Sequence, residues 1–451
     1  MVQAPVRTLR SEIEHQMKLH NYTLSKLSQE SGIMNGHLSL ILNANPHRPM
    51  TIKQLDALAK AFNQPPGWLY DMYPDECFRN EKVSRPRIVP YLVRCVEVGC
   101  SDCIDAVVSR MLDDLKSSLP ILFSVAEQLF HSGAKRESIP FYQYVIDNEK
   151  NNFADLFVMS QYRVFVASQG INAEENWKAI IRFESYRKRL PENIQLDALL
   201  KLANLCFTLQ KWGDMERFSD ELRELATILY KEELRKSINN MSYKIINTTH
   251  HLVVYYGNGF LLKAVALENQ GHYKEAKSYT LGYVDLGWFE LMDERGQIAV
   301  QKFKLWAAAN LYNLDLLIGK IDILPEYLQF LEKNPQELLP SLLKIIKSAN
   351  LHRFQIEDII HRYSKEIIQF ENYQDVISKG LHVRFRFELG SYFFQKMRFI
   401  EGLDNIMLCL ALCQGINSDK LFIKCVKVYE EYKSYATEEQ KQTYKKIIEE
   451  A

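Results

Sequence analysis

Apolar residues recur at intervals of three and four along almost the whole chain, and no stretch alternates long enough to make a convincing strand. That periodicity predicts an all-α protein. Near the N-terminus, Leu9, Ile13, Met17 and Leu19 fall at near-helical spacing between Thr8 and His20, and Asn21, which tolerates a left-handed backbone, ends the helix. Thr23 suits an N-cap for a short helix carrying Leu24 and Leu27, which Gly32 closes. A second short helix, Asn35 to Leu42, points Leu38 and Ile41 inward and leaves Asn35, Gly36, His37, Ser39 and Asn43 outward. The next helix opens at Thr51 and buries Ile52, Leu55, Leu58, Ala59 and Phe62, after which NQPPGWLYDMY closes a module of about five helices in about 65 residues.

A short helix, a glycine turn and a second short helix with a polar face is the geometry that lays a helix into the DNA major groove, where polar side chains meet base edges. Over this whole module the chain resembles the lambda-repressor-like (Cro-type) helix-turn-helix family, through KLSQESGI, HLSLILN and LDALAKAFNQPPGWL. The resemblance implies that Asn35, Gly36, His37, Ser39 and Asn43 face double-stranded DNA, with Thr23 and Ser25 near phosphate. Two features depart from the family pattern. Gly36 lowers helix stability by about 1 kcal/mol relative to alanine, and Leu40 and Leu42 replace more usual polar residues.

From Met1 to Tyr70 the charge excess is mild: Arg7, Arg10, Lys18, Lys26, Arg48, Lys53 and Lys60 stand against Glu12, Glu14, Glu30 and Asp56. Phosphate neutralisation supplies most non-specific affinity, so this small set of cations predicts weak binding by a monomer and a homodimer on two half-sites. The competing reading is a helix-turn-helix fold used only for protein interaction.

Between Pro74 and Tyr91 three prolines accompany charges without a helical stripe, which predicts a linker over 74–91 between a DNA-binding domain, 1–73, and a helical region, 92–451. In that region LLKAVALENQGHYKEAKSYTLGYVDL places Ala264, Ala266, Gly271, Tyr273 and Ala276 where a tetratricopeptide helix pair needs small residues and one aromatic. Four further segments fall in the same register around Gly133, Gly170, Trp212 and Arg398. Their turns lie about 40 residues apart with one wider gap, against about 34 in the standard repeat, so the expected architecture is a degenerate TPR-like α-solenoid.

A concave solenoid surface suits an extended peptide. Asn204, Asn258 and Asn310 interrupt apolar helical faces, and an amide can clamp a peptide backbone by donating and accepting together; with Tyr255 they are the candidate peptide contacts. Each asparagine could equally satisfy a neighbouring helix end. The combined architecture resembles the Gram-positive quorum-sensing regulators of the Rap, NprR, PlcR and PrgX type, whose plan phage-borne arbitrium receptors share. That resemblance implies a homodimer that binds DNA through paired N-terminal domains and changes affinity or domain spacing when a short signalling peptide occupies the repeats. A partner protein on the repeats, or a scaffold with a helix-turn-helix that does not bind DNA, are the rival readings.

Composition adds exclusions. The 451 residues carry 56 Lys and Arg against 56 Asp and Glu, the balance of a folded chain and not of a disordered one. With no long apolar run and no secretory leader in MVQAPVRTLRSEIEHQ, the expectation is a cytoplasmic protein without membrane contact. Eight cysteines are too sparse for a disulfide scaffold and read as reduced core thiols; Cys95, Cys100 and Cys103, with Cys77 nearest, complete no paired zinc spacing, so no metal is expected. No phosphate loop, nucleophile elbow or His-Glu metal pair stands out, and the adjacent His250 and His251 would diverge by about 100 degrees on a helix, so neither enzymatic activity nor a cofactor is expected.

Overall fold

A computed structural model describes residues 7–79, 82–170, 172–238, 246–373, 375–414 and 419–449. They are overwhelmingly helical, and the β structure among them is a single antiparallel ladder of β1 (Phe78–Arg79) with β2 (Lys82–Val83). Two compact units divide the chain, Met1–Gly170 with Glu174–Leu190, and Ile171–Ala173 with Pro191–Ala451.

The first unit begins with α1 (Leu9–Leu19), α2 (Leu24–Ser31), α3 (Asn35–Leu42) and α4 (Ile52–Ala61). Thr8 and Thr51 each make a reciprocal capping box with the third residue of the helix they open, satisfying amides that the first helical turn leaves orphaned. Leu27, Leu38, Ile41, Leu55 and Leu58 meet in one core, and Asn21 and Gly32 take the left-handed backbone that lets the chain reverse between helices.

Of the segment 74–91, expected as a linker, residues 74–79 and 82–91 are packed structure, and 80–81 lie outside the described residues. The described ones form α5 (Pro74–Cys77), the β1–β2 ladder and the start of α6 (Arg85–Val98). Ile88 and Tyr91 are fully buried, and the Tyr91 hydroxyl donates to the Tyr70 carbonyl at 2.7 Å. Two of the three prolines mislead as linker signals because Pro74 and Pro86 occupy the first and second positions of their helices, where a missing N–H costs nothing; the third, Pro90, lies inside α6. The same core continues through α7 (Ser101–Met111), α8 (Leu115–His131), α9 (Lys135–Asn148) and α10 (Asp155–Ala167); α11 (Ala173–Phe183) follows, its Phe183 stacked on Phe165 of α10 at 4.8 Å.

The second unit contains α12 (Glu192–Thr208), α13 (Trp212–Ile238), α14 (Leu252–Asn269), α15 (Tyr273–Leu281), α16 (Glu294–Ile318), α17 (Leu324–Lys333) and α18 (Leu338–His352). It continues with α19 (Glu357–Arg362), α20 (Ser364–Gln369), α21 (Val376–Gln395), α22 (Phe399–Gln414), α23 (Asp419–Tyr432) and α24 (Glu438–Glu449). Each of the five segments that align in sequence contains two consecutive helices. Four turns carry one left-handed residue, with φ of 98° at Gly133, 55° at Gln210, 84° at Gly271 and 56° at Met397. In the fifth segment the Asn176 carboxamide of α11 accepts from the Gly170 amide at 3.0 Å and donates to its carbonyl at 2.8 Å. The wide gap in the sequence alignment holds two further left-handed helix ends, Gly319 and Arg353. Small residues set how closely the helices approach. A Cβ at Gly259 of α14 would sit 2.6 Å from the Arg223 Cβ of α13, and Ala264, Ala266 and Ala276 are buried.

Candidate nucleic-acid interface

The segment from Thr23 to Asn43 is built by local bonds. The Thr23 hydroxyl accepts from the Lys26 amide at 3.3 Å and opens α2; Gly32, at φ 69°, ends it. Inside the turn the Ser28 hydroxyl donates to the Ile33 carbonyl and the Ser31 hydroxyl to the Leu27 carbonyl, both at 2.6 Å. The first satisfies a carbonyl in the turn and ties α2 to the segment that leads into α3; the second is a bond within α2 to the carbonyl four residues back. Asn35 of α3 donates to the Ser25 hydroxyl of α2 at 3.3 Å, so the outward faces of the two helices meet at their N-terminal ends.

Asn35, Gly36 and Asn43 are exposed, and His37 and Ser39 half-exposed. Thr23 and Ser25 are exposed as well. Leu42, one of the two apolar departures, is a core residue at 4% exposure, whereas Leu40 at 45% and Met34 at 65% stand out of the surface. Met34 supplies no side-chain cap to α3, so the first amides of that helix have no side-chain acceptor from the N-cap position.

The far end of α3 is held by one residue that sequence reading did not single out. Arg10 of α1 donates from Nε to the Ile41 carbonyl at 2.9 Å, from Nη2 to the Arg48 carbonyl at 3.3 Å, and pairs through Nη1 with Glu76 of α5 at 2.7 Å. The second Glu76 oxygen accepts the Met50 amide at 2.6 Å. Only the long separation of these partners in sequence hid the arrangement. It also changes the charge balance, because three of the module's seven cations are internally paired: Arg10 with Glu76, Arg7 with Glu12 and Lys26 with Glu30. Lys18, Arg48, Lys53 and Lys60 remain.

In the second unit the four candidate peptide contacts differ in accessibility. Asn204 is exposed on α12. Asn258 is half-buried on α14 and donates to the Val254 carbonyl of its own helix at 2.8 Å; Asn310 of α16 donates to the Tyr283 hydroxyl at 2.8 Å. Tyr255 is wholly buried, its hydroxyl donating to Asp197 at 2.5 Å and accepting the His250 amide at 3.1 Å. A hydroxyl enclosed and bonded on both sides is not placed to meet a ligand, so Tyr255 is corrected from a peptide contact to a tie between α12 and the start of α14. The three asparagines lie on α12, α14 and α16, the first two of which open successive helix pairs. The adjacent histidines also resolve: the His251 Nδ1 caps α14 by accepting the Val253 amide at 3.2 Å, with Nε2 2.7 Å from the Leu291 carbonyl.

Cys77, Cys95 and Cys103 are buried, and burial pushes the thiols up, to about 12 for Cys77 and Cys103, which keeps them protonated at neutral pH. Among the described residues no group of three His, Cys, Asp or Glu side chains is arranged to hold a metal ion, and no helix is long and apolar enough to cross a membrane.

No protein-family model matches the chain, and no curated protein sequence matches it significantly.

Proposed function

We propose that the chain is a sequence-specific, DNA-binding transcription regulator acting as a homodimer in the cytoplasm, with DNA affinity or dimer geometry controlled by a short signalling peptide bound to a TPR-like repeat domain. The observation that carries it is the pairing of α2 and α3 across the left-handed Gly32, with Asn35, Gly36, His37, Ser39 and Asn43 turned away from the core. Four cations without an ion pair among the described residues neutralise few phosphates, which favours binding by two copies. Peptide control is supported by the run of helix pairs and by amide side chains at Asn204, Asn258 and Asn310 on α12, α14 and α16. No catalytic role is proposed.

Met34 and Leu40 favour a second reading, in which the same face docks on a protein. A gel shift on DNA flanking the protein's own gene, with and without synthetic peptides from neighbouring small reading frames, tests both. A specific shift altered by one peptide supports the regulator, and its loss in the double variant Ser39→Glu, Asn43→Glu assigns the DNA face to α3. A peptide-insensitive shift favours a protein partner on the repeats; no shift at low salt favours the scaffold.

A further inference from the structure

Within the second unit, a pocket of 360 Å³ is walled by the turn between α12 and α13, the end of α14, and α18, α21 and α23. A pocket of this size accommodates a small ligand. Its charge is one-sided. Arg384, Lys347, Lys420 and Lys424 line it against a single carboxylate, Glu388, and one oxygen of that carboxylate already accepts the Asn350 amide at 2.9 Å. Lys344 also lines the wall but is bonded to Glu268.

Arg384 is the telling residue. It is half-buried on α21, and among the described residues no carboxylate lies within ion-pair distance of it; the Phe207 ring stands 6.0 Å from its guanidinium carbon. Burial alone pulls its pKa below the ordinary value. Two positions along the same helix, Arg386 has what Arg384 lacks: Glu371 at 3.3 Å, the Asn405 carboxamide oxygen at 3.3 Å and His382 at 2.9 Å. Lys347 is likewise half-buried with no ion pair among the described residues, and Lys420 and Lys424, one turn apart on α23, add two exposed ammonium groups. Gathering four cations around one concavity, two of them partly desolvated, raises the energy of the empty state. The same arrangement focuses a positive potential that an anion would relieve.

We propose that this pocket binds a small ligand carrying at least two negative charges, as carboxylates or phosphates, with Arg384 holding one anionic group in a two-point fork and Lys347, Lys420 and Lys424 neutralising the rest. The planar guanidinium matches both oxyanions in bidentate geometry, and the lysines act as point charges that tolerate either. The proposal does not depend on DNA or peptide control.

Calorimetric titration of the full chain at low salt with pyrophosphate and, separately, with triglutamate tests it and separates the two sources. Binding of one or both is expected, weakening with added salt and falling about tenfold or more in Arg384→Met. Pyrophosphate binding alone identifies a phosphate ligand; triglutamate binding alone identifies an acidic peptide or polycarboxylate. Should Arg384→Met not fold, Lys347→Met and Lys424→Met decide, and unchanged affinity in both overturns the proposal. So does the absence of heat and of any rise in melting temperature with either probe. The gel shift is read at α2 and α3 of the first unit and the titration at residues of the second, so the failure of either leaves the other measurement intact.

Discussion

Arg10 and Glu76, 66 positions apart, form a 2.7 Å ion pair in which the carboxylate side chain is 7% exposed and the guanidinium 19%. The pair joins α1 to α5, and the spare donors of Arg10 bond the Ile41 and Arg48 carbonyls at and beyond the C-terminal end of α3. The position of the candidate DNA-facing helix therefore depends on a charge that does not face DNA.

Arg10→Met should destabilise the first unit by about 2–4 kcal/mol, because it strands a buried carboxylate and two carbonyls. Arg7→Met, which breaks the exposed pair with Glu12, should leave stability almost unchanged. Urea unfolding of the two variants checks the contrast, and equal effects would remove the structural role assigned to Arg10.

Gly32 and Gly36 should respond to substitution in opposite directions. Gly32, at φ 69°, should lose about 1 kcal/mol on substitution by alanine, since a Cβ is disfavoured in the left-handed region. Gly36 lies in α3 with open space for 4 Å around the position a Cβ would take, so Gly36→Ala should stabilise by about 0.5–1 kcal/mol. Thermal melts measure both. A Gly36→Ala protein that is more stable yet weaker in the gel shift would place that backbone against DNA.

At the crossing of α13 and α14, Gly259→Ala should lower stability by about 1–3 kcal/mol, because the added carbon would stand 2.6 Å from the Arg223 Cβ and 2.9 Å from its Cα, and backbone must move. Denaturant titration is the readout, with Gly213→Ala as the control, where the new carbon meets nothing within 4 Å.

His382, 2% exposed and accepting from Arg386 Nε at 2.9 Å, is held neutral by burial and by the neighbouring guanidinium, its pKa pushed down from 6.5 to about 4. A base with a lowered folded pKa contributes stability that is complete above the unfolded value and is lost as pH falls through the folded one. The loss should therefore run from about pH 6.5 to about pH 4 and reach roughly 3 kcal/mol. Urea unfolding across that window should show a shallower pH dependence in His382→Gln; parallel curves would mean the imidazole is not kept neutral by the fold.

Features that depend on residues within a few turns of one another are legible in the chain alone. The three-and-four periodicity marks helices throughout, Thr23 and Thr51 mark helix starts, and Gly32 marks the turn. Three of the five aligned segments carry a glycine between their helices, Gly133, Gly170 and Gly271, a local trace; Gln210 and Met397 take the left-handed backbone in the other two without one. Contacts between residues far apart in sequence leave no such trace, and packing alone decides them. Tyr91 pulls an apparent linker into the core through Tyr70, Asp197 encloses the Tyr255 hydroxyl from another helix, and Glu76 takes Arg10 out of the module's charge. Arg384 and Arg386 make the physical reason plain. Two residues of one type, two positions apart, have the same local sequence signature. Yet a helix turns them toward different neighbours, so one meets Glu371 and the other a pocket lined with cations.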